Sequence, residues 1–256
     1  MKTTVEKIKS MKGKEKISML TAYDYFTAKM QDEAGMDIIF IGDSLGMVVL
    51  GYDDTLSVAM DDMLRHTGAV VRGVKKALVV ADMPANSYDD DNTAVLNAES
   101  LIKIGADTVK IENKPEIAKF LVENGIQVMG HIGLTPQTAK EFKVQGKDEE
   151  TANKLVKLAK ECEEAGCYSL VLECVPIELA KRITESISIP TIGIGAGPEC
   201  DGQVLVVNDM LGLYDKFSPK FVKRYVKLGE GMKKAFGDYI KEVKEVKFPD
   251  DNHSFH

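Results

Sequence analysis

The sequence predicts an α/β fold, and within that class a closed (β/α)8 barrel of the TIM type. Three observations carry the prediction. Eight short apolar, β-branched stretches alternate with stretches of helical period, which implies right-handed β-α-β crossovers and a parallel sheet. The chain has 256 residues, the ordinary size of one (β/α)8 unit of about 250 residues. Four of the apolar stretches run into an acid: Ile38-Ile39-Phe40-Ile41 into Gly42-Asp43-Ser44, Val79-Val80-Ala81 into Asp82, Thr108-Val109-Lys110-Ile111 into Glu112, and Leu170-Val171-Leu172 into Glu173. Acids at the ends of several parallel strands are how such a barrel builds a metal and catalytic site. An open doubly wound sheet is the competing architecture, because short apolar strands read alike in both.

The elements follow in order. Thr3 to Met11 reads as a short helix with Val5 and Ile8 on one side, and Ile17 to Ala22 as the first strand. Asp24 suits the cap of the next helix, where Phe26, Met30 and Ala34 recur at helical spacing and Gly35 closes the element. Ile38 to Gly42 is the second strand. Ala59 to Val74 repeats at helical period through Met60, Met63, Leu64 and Val70, and Leu78 to Ala81 is the third strand. Asp89-Asp90-Asp91-Asn92 precedes a helix from Thr93 to Ile104, stopped by Gly105. Thr108 to Ile111 is the fourth strand. Pro115 suits the first turn of a helix to Glu123, ended by Asn124-Gly125. Val128 to Gly130 is the fifth strand, followed by His131 and an irregular loop from Gly133 to Gly146. Asp148 to Glu164 is amphipathic, with Leu155, Leu158, Ala159 and Cys162 on one side. Ser169 to Leu172 is the sixth strand, and Pro176 opens the next helix. Thr191 to Ile194 and Val204 to Val207 are the seventh and eighth strands; Lys220 to Val243 is a final long helix, and Val246 to His256 a tail. No Pro/Gly/Ser linker divides the chain, so one domain over residues 1–256 is expected.

Composition excludes several classes of function. A net charge of −7 leaves no basic stripe to neutralise phosphates, which argues against nucleic acid. No run of 18 apolar residues is present to span a membrane. Met1-Lys2-Thr3-Thr4-Val5-Glu6 lacks the apolar core of a signal peptide, so the cytoplasm is expected. Cys162, Cys167, Cys174 and Cys200 form no Cys-x-x-Cys and no zinc spacing, and read as buried free thiols.

Asp43, Asp82 and Glu112 end consecutive strands, so a barrel makes them neighbours on one rim. Three carboxylates facing one point repel each other unless a cation sits between them. Oxygen-only donors suit Mg²⁺. The bland alternative is that each acid caps the following helix. Lys110 lies two residues before Glu112 and shares its side of the strand, where it meets either a neighbouring carboxylate or a substrate oxyanion. Ser44 adds a hydroxyl beside Asp43, or a turn hydrogen bond. Glu173, in apolar company, suits a general base, or a cap ahead of Pro176. Of four histidines only His131 falls on the expected rim; a structural hydrogen bond is the plainer role for it. Gly193-Ile194-Gly195-Ala196-Gly197 is a candidate phosphate cradle. As a dinucleotide fingerprint it fails, for want of a helix start before Pro198. Asp89-Asp90-Asp91 reads as a capped, solvated turn, not a calcium loop.

Together, Gly42-Asp43-Ser44-Leu45-Gly46-Met47, Ala81-Asp82-Met83-Pro84, Val109-Lys110-Ile111-Glu112, His131-Ile132-Gly133-Leu134-Thr135-Pro136-Gln137, Leu172-Glu173-Cys174-Val175-Pro176, Ile192-Gly193-Ile194-Gly195-Ala196-Gly197 and Asp201-Gly202-Gln203-Val204-Leu205-Val206 resemble the ketopantoate hydroxymethyltransferase family. The likeness runs from about Thr21 to Phe255 and takes in His66-Thr67, Arg72-Gly73, Phe248-Pro249 and His253-Ser254-Phe255. It implies a barrel of the phosphoenolpyruvate/pyruvate superfamily, assembled as a homo-oligomer, usually a decamer. It implies hydroxymethyl transfer from 5,10-methylenetetrahydrofolate to 3-methyl-2-oxobutanoate, giving 2-dehydropantoate for pantothenate synthesis. By this likeness Asp43 and Asp82 match the direct Mg²⁺ ligands and Glu112 the one reached through water. Ser44, Asp82 and Lys110 match the keto-acid contacts, Glu173 the base and His131 a pocket residue.

The sequence also departs from the family. Glu141-Phe142-Lys143-Val144-Gln145-Gly146 stands where the family carries a longer, glycine-containing insert. Ala85-Asn86 replaces the usual Phe-Gly, and Asn113-Lys114 replaces Gly-Gly. Two rival functions are compatible with the fold: an Mg²⁺-dependent lyase or mutase acting on a 2-keto or phosphoenol acid, and a non-catalytic barrel that binds a small acid. A retained Glu173 argues against the second, because binding alone needs no base.

Overall fold

The computed structural model describes residues 2–138, 143–214 and 219–256. Its strands are β1 (Ile17–Thr21), β2 (Ile38–Ile41), β3 (Leu78–Asp82), β4 (Thr108–Glu112), β5 (Val128–Gly133), β6 (Ser169–Glu173), β7 (Thr191–Ile194) and β8 (Gly202–Leu205). They pair in parallel, in sequence order, and close into a barrel. The closing pair sets Ile17, Ser18, Met19 and Leu20 against Gly202, Gln203, Val204 and Leu205, so the open sheet is excluded. Every residue of β2, β3 and β4 is buried. That is the expected state of parallel strands covered by helices outside and side chains inside.

The helices are α1 (Val5–Met11), α2 (Tyr25–Ala34), α3 (Leu45–Val48), α4 (Met60–Gly73), α5 (Asp91–Ile104), α6 (Pro115–Glu123), α7 (Glu149–Glu164), α8 (Ile177–Ser186), α9 (Val207–Met210) and α10 (Leu228–Lys244). Three begin on the same local chemistry. Asp24, Asp90 and Asp148 each accept a hydrogen bond from the backbone N–H three residues on, at Thr27, Thr93 and Thr151. Gly35 and Gly105 close α2 and α5 at φ of 88° and 115°, the left-handed conformation that glycine takes without strain. Helix α1 buries Val5, Ile8 and Met11 in the same cluster as Ile17, Ile38 and Leu78, the first residues of β1, β2 and β3. It therefore plugs the N-terminal end of the barrel.

Four expectations are corrected. Strand β5 continues through His131 to Gly133, so His131 lies inside the strand. Strand β8 starts at Gly202, two residues early, and Val207 belongs to α9. Helix α2 turns Phe26 and Met30 outward, at 70% and 61% exposure, and buries Ala28, Gln31 and Asp32 instead. Asp32 is accommodated because both its oxygens are engaged, accepting from the backbone N–H groups of Lys75, Lys76 and Ala77; Gln31 is held by its donation to the Thr21 carbonyl, and its amide oxygen has no hydrogen-bond partner among the described residues. Finally, the last long helix starts at Leu228, not Lys220. The Tyr225 and Leu228 N–H groups bond the Met210 and Leu211 carbonyls, so the preceding turn draws them out of a helical ladder.

The chain forms two compact units, Met1–Val206 with the whole barrel and Val207–His256 with α9, α10 and the tail. Among the described residues no helix is long and apolar enough to cross a membrane.

Candidate active site

The acids stand at the C-terminal ends of the strands. Asp82, Glu112 and Glu173 are the last residues of β3, β4 and β6, and Asp43 lies two residues beyond β2. Register pairs Asp82 with Lys110, Glu112 with His131, and Gly133 with Glu173. Lys110 and Glu112, two apart on β4, fall on one side of it as the strand period requires. None of the acids caps a helix: the N-cap residues of α3, α4, α5, α6 and α8 are Ser44, Ala59, Asp90, Lys114 and Pro176. The capping alternative is thereby removed for all four.

The side chains of Asp82, Glu112 and Glu173 join through Lys110 and His131 into one cluster, which Asp43 meets through its backbone N–H. The Lys110 ammonium lies 2.7 Å from Asp82 Oδ1 and 3.7 Å from Glu112 Oε1. His131 Nδ1 is 3.1 Å from Glu112 Oε1, and its Nε2 is 3.3 Å from Glu173 Oε2. Lys110 Nζ also comes within 3.3 Å of His131 Nδ1. With a carboxylate closer, the Nδ1 proton faces Glu112, and Lys110 is a like-charged neighbour there. The Asp43 N–H reaches Asp82 Oδ2 at 3.4 Å. Asp43, Asp82, Lys110, Glu112 and His131 are all buried, and the Glu173 side chain keeps 15% of its exposure. Ser44 Oγ shares a 2.8 Å hydrogen bond with Tyr23 OH and makes no cap.

Burial and crowding set the charges. Burial first, then the Asp82 and Glu112 charges, push the Asp43 carboxyl well above the usual carboxylate range. Burial raises Asp82 as well, against the pull of Lys110. Burial works on Glu112 the same way, but His131 and Lys110 outweigh it and hold Glu112 low. For His131, burial and Lys110 oppose protonation, yet Glu112 and Glu173 prevail and hold it up at about 9. Two carboxyls with raised proton affinity thus sit side by side at the ends of β2 and β3, with Lys110 paired to Asp82 and not to Asp43.

That pair decides what the site can hold. Among the described residues no three His, Cys, Asp or Glu side chains form a ready-made metal cage. Mg²⁺ does not need one: it takes one or two carboxylates and fills its octahedron with waters and substrate oxygens. Asp43 and Asp82 fit that donor set. Both Glu112 oxygens have closer partners, Oε1 in His131 and Lys110 and Oε2 in the Gln137 N–H at 3.1 Å, whereas Asp82 Oδ2 has only the Asp43 N–H at 3.4 Å, so Glu112 fits a place one step removed.

Three participants carry no role in the sequence reading: Gln137, which enters it only as part of a motif, Tyr88 and Tyr23. Gln137 lies in an irregular loop, where no periodicity marks a side chain as inward-facing. The departures at Asn86 and Asn113 prove conservative, since both adopt left-handed backbone at φ 64° and 54°. Asparagine is the residue that most readily replaces glycine there. In the loop that departs from the family, Glu141 and Phe142 lie outside the described residues, and Gln145 donates its N–H to the Cys174 carbonyl at 2.8 Å. The Gly193–Gly197 turn leads from β7 to β8 without a helix, in line with its failure as a dinucleotide motif.

Comparison with known proteins adds independent findings. The sequence model of the family described as ketopantoate hydroxymethyltransferase matches residues 2–251. A 3-methyl-2-oxobutanoate hydroxymethyltransferase of Clostridium botulinum (strain Langeland / NCTC 10281 / Type F) is 56% identical, over 100% of this chain and 96% of its own. One from Syntrophus aciditrophicus (strain SB) is 54% identical, over 99% and 97%. Among solved structures, a phosphoenolpyruvate phosphomutase from Streptomyces platensis subsp. rosaceus superposes with a TM-score of 0.66 at 12% identity, over 94% of this chain and 88% of its own. A 2,3-dimethylmalate lyase, described as a PEP mutase/isocitrate lyase superfamily member, gives 0.63 at 13%, over 99% and 92%. At that identity these two speak for the fold alone.

Proposed function

The chain belongs to the ketopantoate hydroxymethyltransferase family, and from that premise we propose that it takes its hydroxymethyl group from 5,10-methylenetetrahydrofolate and delivers it to 3-methyl-2-oxobutanoate, giving 2-dehydropantoate for pantothenate synthesis. The observation that carries this reading is the continuous cluster from Asp43 and Asp82, through Lys110, Glu112 and His131, to Glu173. It puts a cation-seeking carboxylate pair and a separate, partly exposed carboxylate on one rim.

The chemistry needs both ends of that cluster. The C3 proton of a 2-keto acid is only weakly acidic. Bound Mg²⁺ would supply the positive charge that makes loss of that proton affordable. Asp43 and Asp82 would hold the ion directly and Glu112 through a water. Lys110 and Ser44, with Asp82, orient the keto acid's oxygens. Glu173 takes the C3 proton, and His131 at 3.3 Å steers its carboxylate. The carbon so released bonds to the one-carbon unit, both bonds from that unit to the N5 and N10 nitrogens of the folate break, water supplies the hydroxyl, and the C3 proton and the water's remaining proton end on the two freed nitrogens.

The decisive experiment is a turnover assay with 3-methyl-2-oxobutanoate, methylenetetrahydrofolate and Mg²⁺. Product that forms only with all three supports the reading; turnover without the folate would favour a lyase or mutase. Four free cysteines, three of them buried, suit a reducing compartment, and the reaction is assigned to the cytoplasm. A homo-oligomer, a decamer by family likeness, belongs to the same reading, and the exposed Phe26 and Met30 on α2 give it an apolar contact surface. Light scattering at micromolar concentration tests it.

A further inference from the structure

The geometry points to a latch: Gln137 and Tyr88 are positioning residues that fix which carboxylate oxygens the site offers to a cation. The inference rests on the cation reading above and concerns residues outside the ligand set.

Gln137 lies in the loop after β5 and is buried. Both hydrogens of its side-chain amide are engaged, one by Asp43 Oδ2 and one by the Met83 carbonyl, each at 2.9 Å. Its backbone N–H donates to Glu112 Oε2 at 3.1 Å. One residue therefore ties together the chain just beyond β2, just beyond β3 and at the end of β4. Its amide oxygen accepts from the buried Tyr88 hydroxyl, and that hydroxyl accepts the Glu112 N–H at 3.2 Å.

The direction of the amide follows. An amide's oxygen and nitrogen are close in size, so shape alone does not orient it. The Tyr88 oxygen receives the Glu112 N–H, so its own hydrogen goes to the Gln137 oxygen, which turns the NH₂ toward Asp43. The reversed amide would set its oxygen against a carboxylate and a carbonyl. Tyr88 thus acts through Gln137, and Gln137 acts on Asp43. With Asp43 Oδ2 held, the other oxygen of Asp43 is left in a fixed direction. Mg²⁺ tolerates little departure from octahedral geometry, so a carboxylate held in one direction binds it better than one free to rotate. Hydrogen-bond partners of metal-ligating groups carry about 10–100-fold in metal affinity.

A residue that merely anchors its loop would leave metal affinity unmoved, and that distinction is measurable. Mn²⁺ binding to the full chain, read by electron paramagnetic resonance without substrates, is compared in the parent, Gln137→Met, Tyr88→Phe and the double variant. The latch predicts that each single variant binds Mn²⁺ about 10–100-fold more weakly. The double variant should match Gln137→Met within about twofold, because coupled residues do not add. Parent-like affinity in either single variant, or losses that multiply in the double, overturns the latch. Should Gln137→Met fail to fold, Tyr88→Phe, which deletes one oxygen, carries the test. A parent that takes up no Mn²⁺ removes the cation reading itself, and the latch with it.

Discussion

Lys110 shows how a buried charge is tolerated at this rim. Burial opposes its ammonium, but Asp82, Glu112 and Asp43 more than compensate and raise its proton affinity. A permanently charged lysine beside Asp82 leaves Asp43 as the acid least matched by positive charge. The residue-scale predictions follow from that imbalance. Asp43→Ala and Asp82→Ala each remove an oxygen donor, and Mg²⁺ titration by calorimetry should show affinity lost by at least about tenfold. Parent-like binding in both would exclude them as ligands. Glu173 stands apart, because its contact is with His131 and not with Lys110. Glu173→Gln keeps size and hydrogen bonding but cannot take a proton. It should bind 3-methyl-2-oxobutanoate as the parent does, while exchange of the C3 proton with deuterated water, followed by NMR, falls by about 100-fold or more. Undiminished exchange would remove Glu173 as the base.

At the scale of elements, the meeting of β5 and β6 positions that base. Gly133 ends β5 at φ 100°, and a Cβ there would stand 2.3 Å from the Glu173 carbonyl oxygen. The same carbonyl accepts the Leu134 N–H at 2.9 Å. Gly133→Ala must therefore push the end of β6 aside. Gly125 has a comparable φ of 81° with open space around it, and serves as the control. Both alanine variants should lose about 1–2 kcal/mol of stability to the left-handed backbone. Only Gly133→Ala should lose kcat, with little change in KM. Equal activity in the two would mean that the β6 end tolerates displacement. This junction was half legible in the sequence. Glu173 stood out as an acid ending an apolar run, and Asp24 stood out as a cap, because a strand end and a cap are each written within a few adjacent residues. Pairings between elements were not legible in that way. The buried Gln31 and Asp32 of α2 owe their place to carbonyl and N–H partners up to 45 positions away. Phe26 and Met30 followed the helical period faithfully and still faced out. Gln137 was legible as part of a family motif but its role was not, since its partners Asp43, Met83, Tyr88 and Glu112 converge on it only in the closed barrel.

For the molecule as a whole, the rim works only if the ring is shut, and the opposite end of the barrel holds the device that shuts it. Asp201 precedes β8 and reaches three other segments there. Its Oδ2 meets the Lys12 ammonium and accepts the Thr191 N–H, both at 2.9 Å, and its Oδ1 accepts the Gly13 N–H at 3.0 Å. Its carbonyl accepts the N–H of Ile17, the first residue of β1, at 2.9 Å. The buried carboxylate thus joins the turn after α1 to β7, right beside the seam where the backbone carbonyl of the same residue ties β8 to β1. Burial alone would raise its proton affinity, but the Thr191 N–H, Lys12 and the Gly13 N–H outweigh it and hold the carboxyl below the usual range. The sign of the pH effect follows. The unfolded chain, with an ordinary Asp near about 3.9, binds the proton more readily, so Asp201 contributes its full stability above that pH. The contribution fades as pH drops toward the lower folded value. At pH 7, Asp201→Asn should be about 2 kcal/mol less stable than the parent, a fall in Tm of about 4–8 °C. The gap should narrow as pH is lowered toward 3, because the parent then loses the charge that the variant never had. Melting curves of both proteins across that range decide the matter: a gap of constant width would show that the Asp201 charge does not help close the barrel.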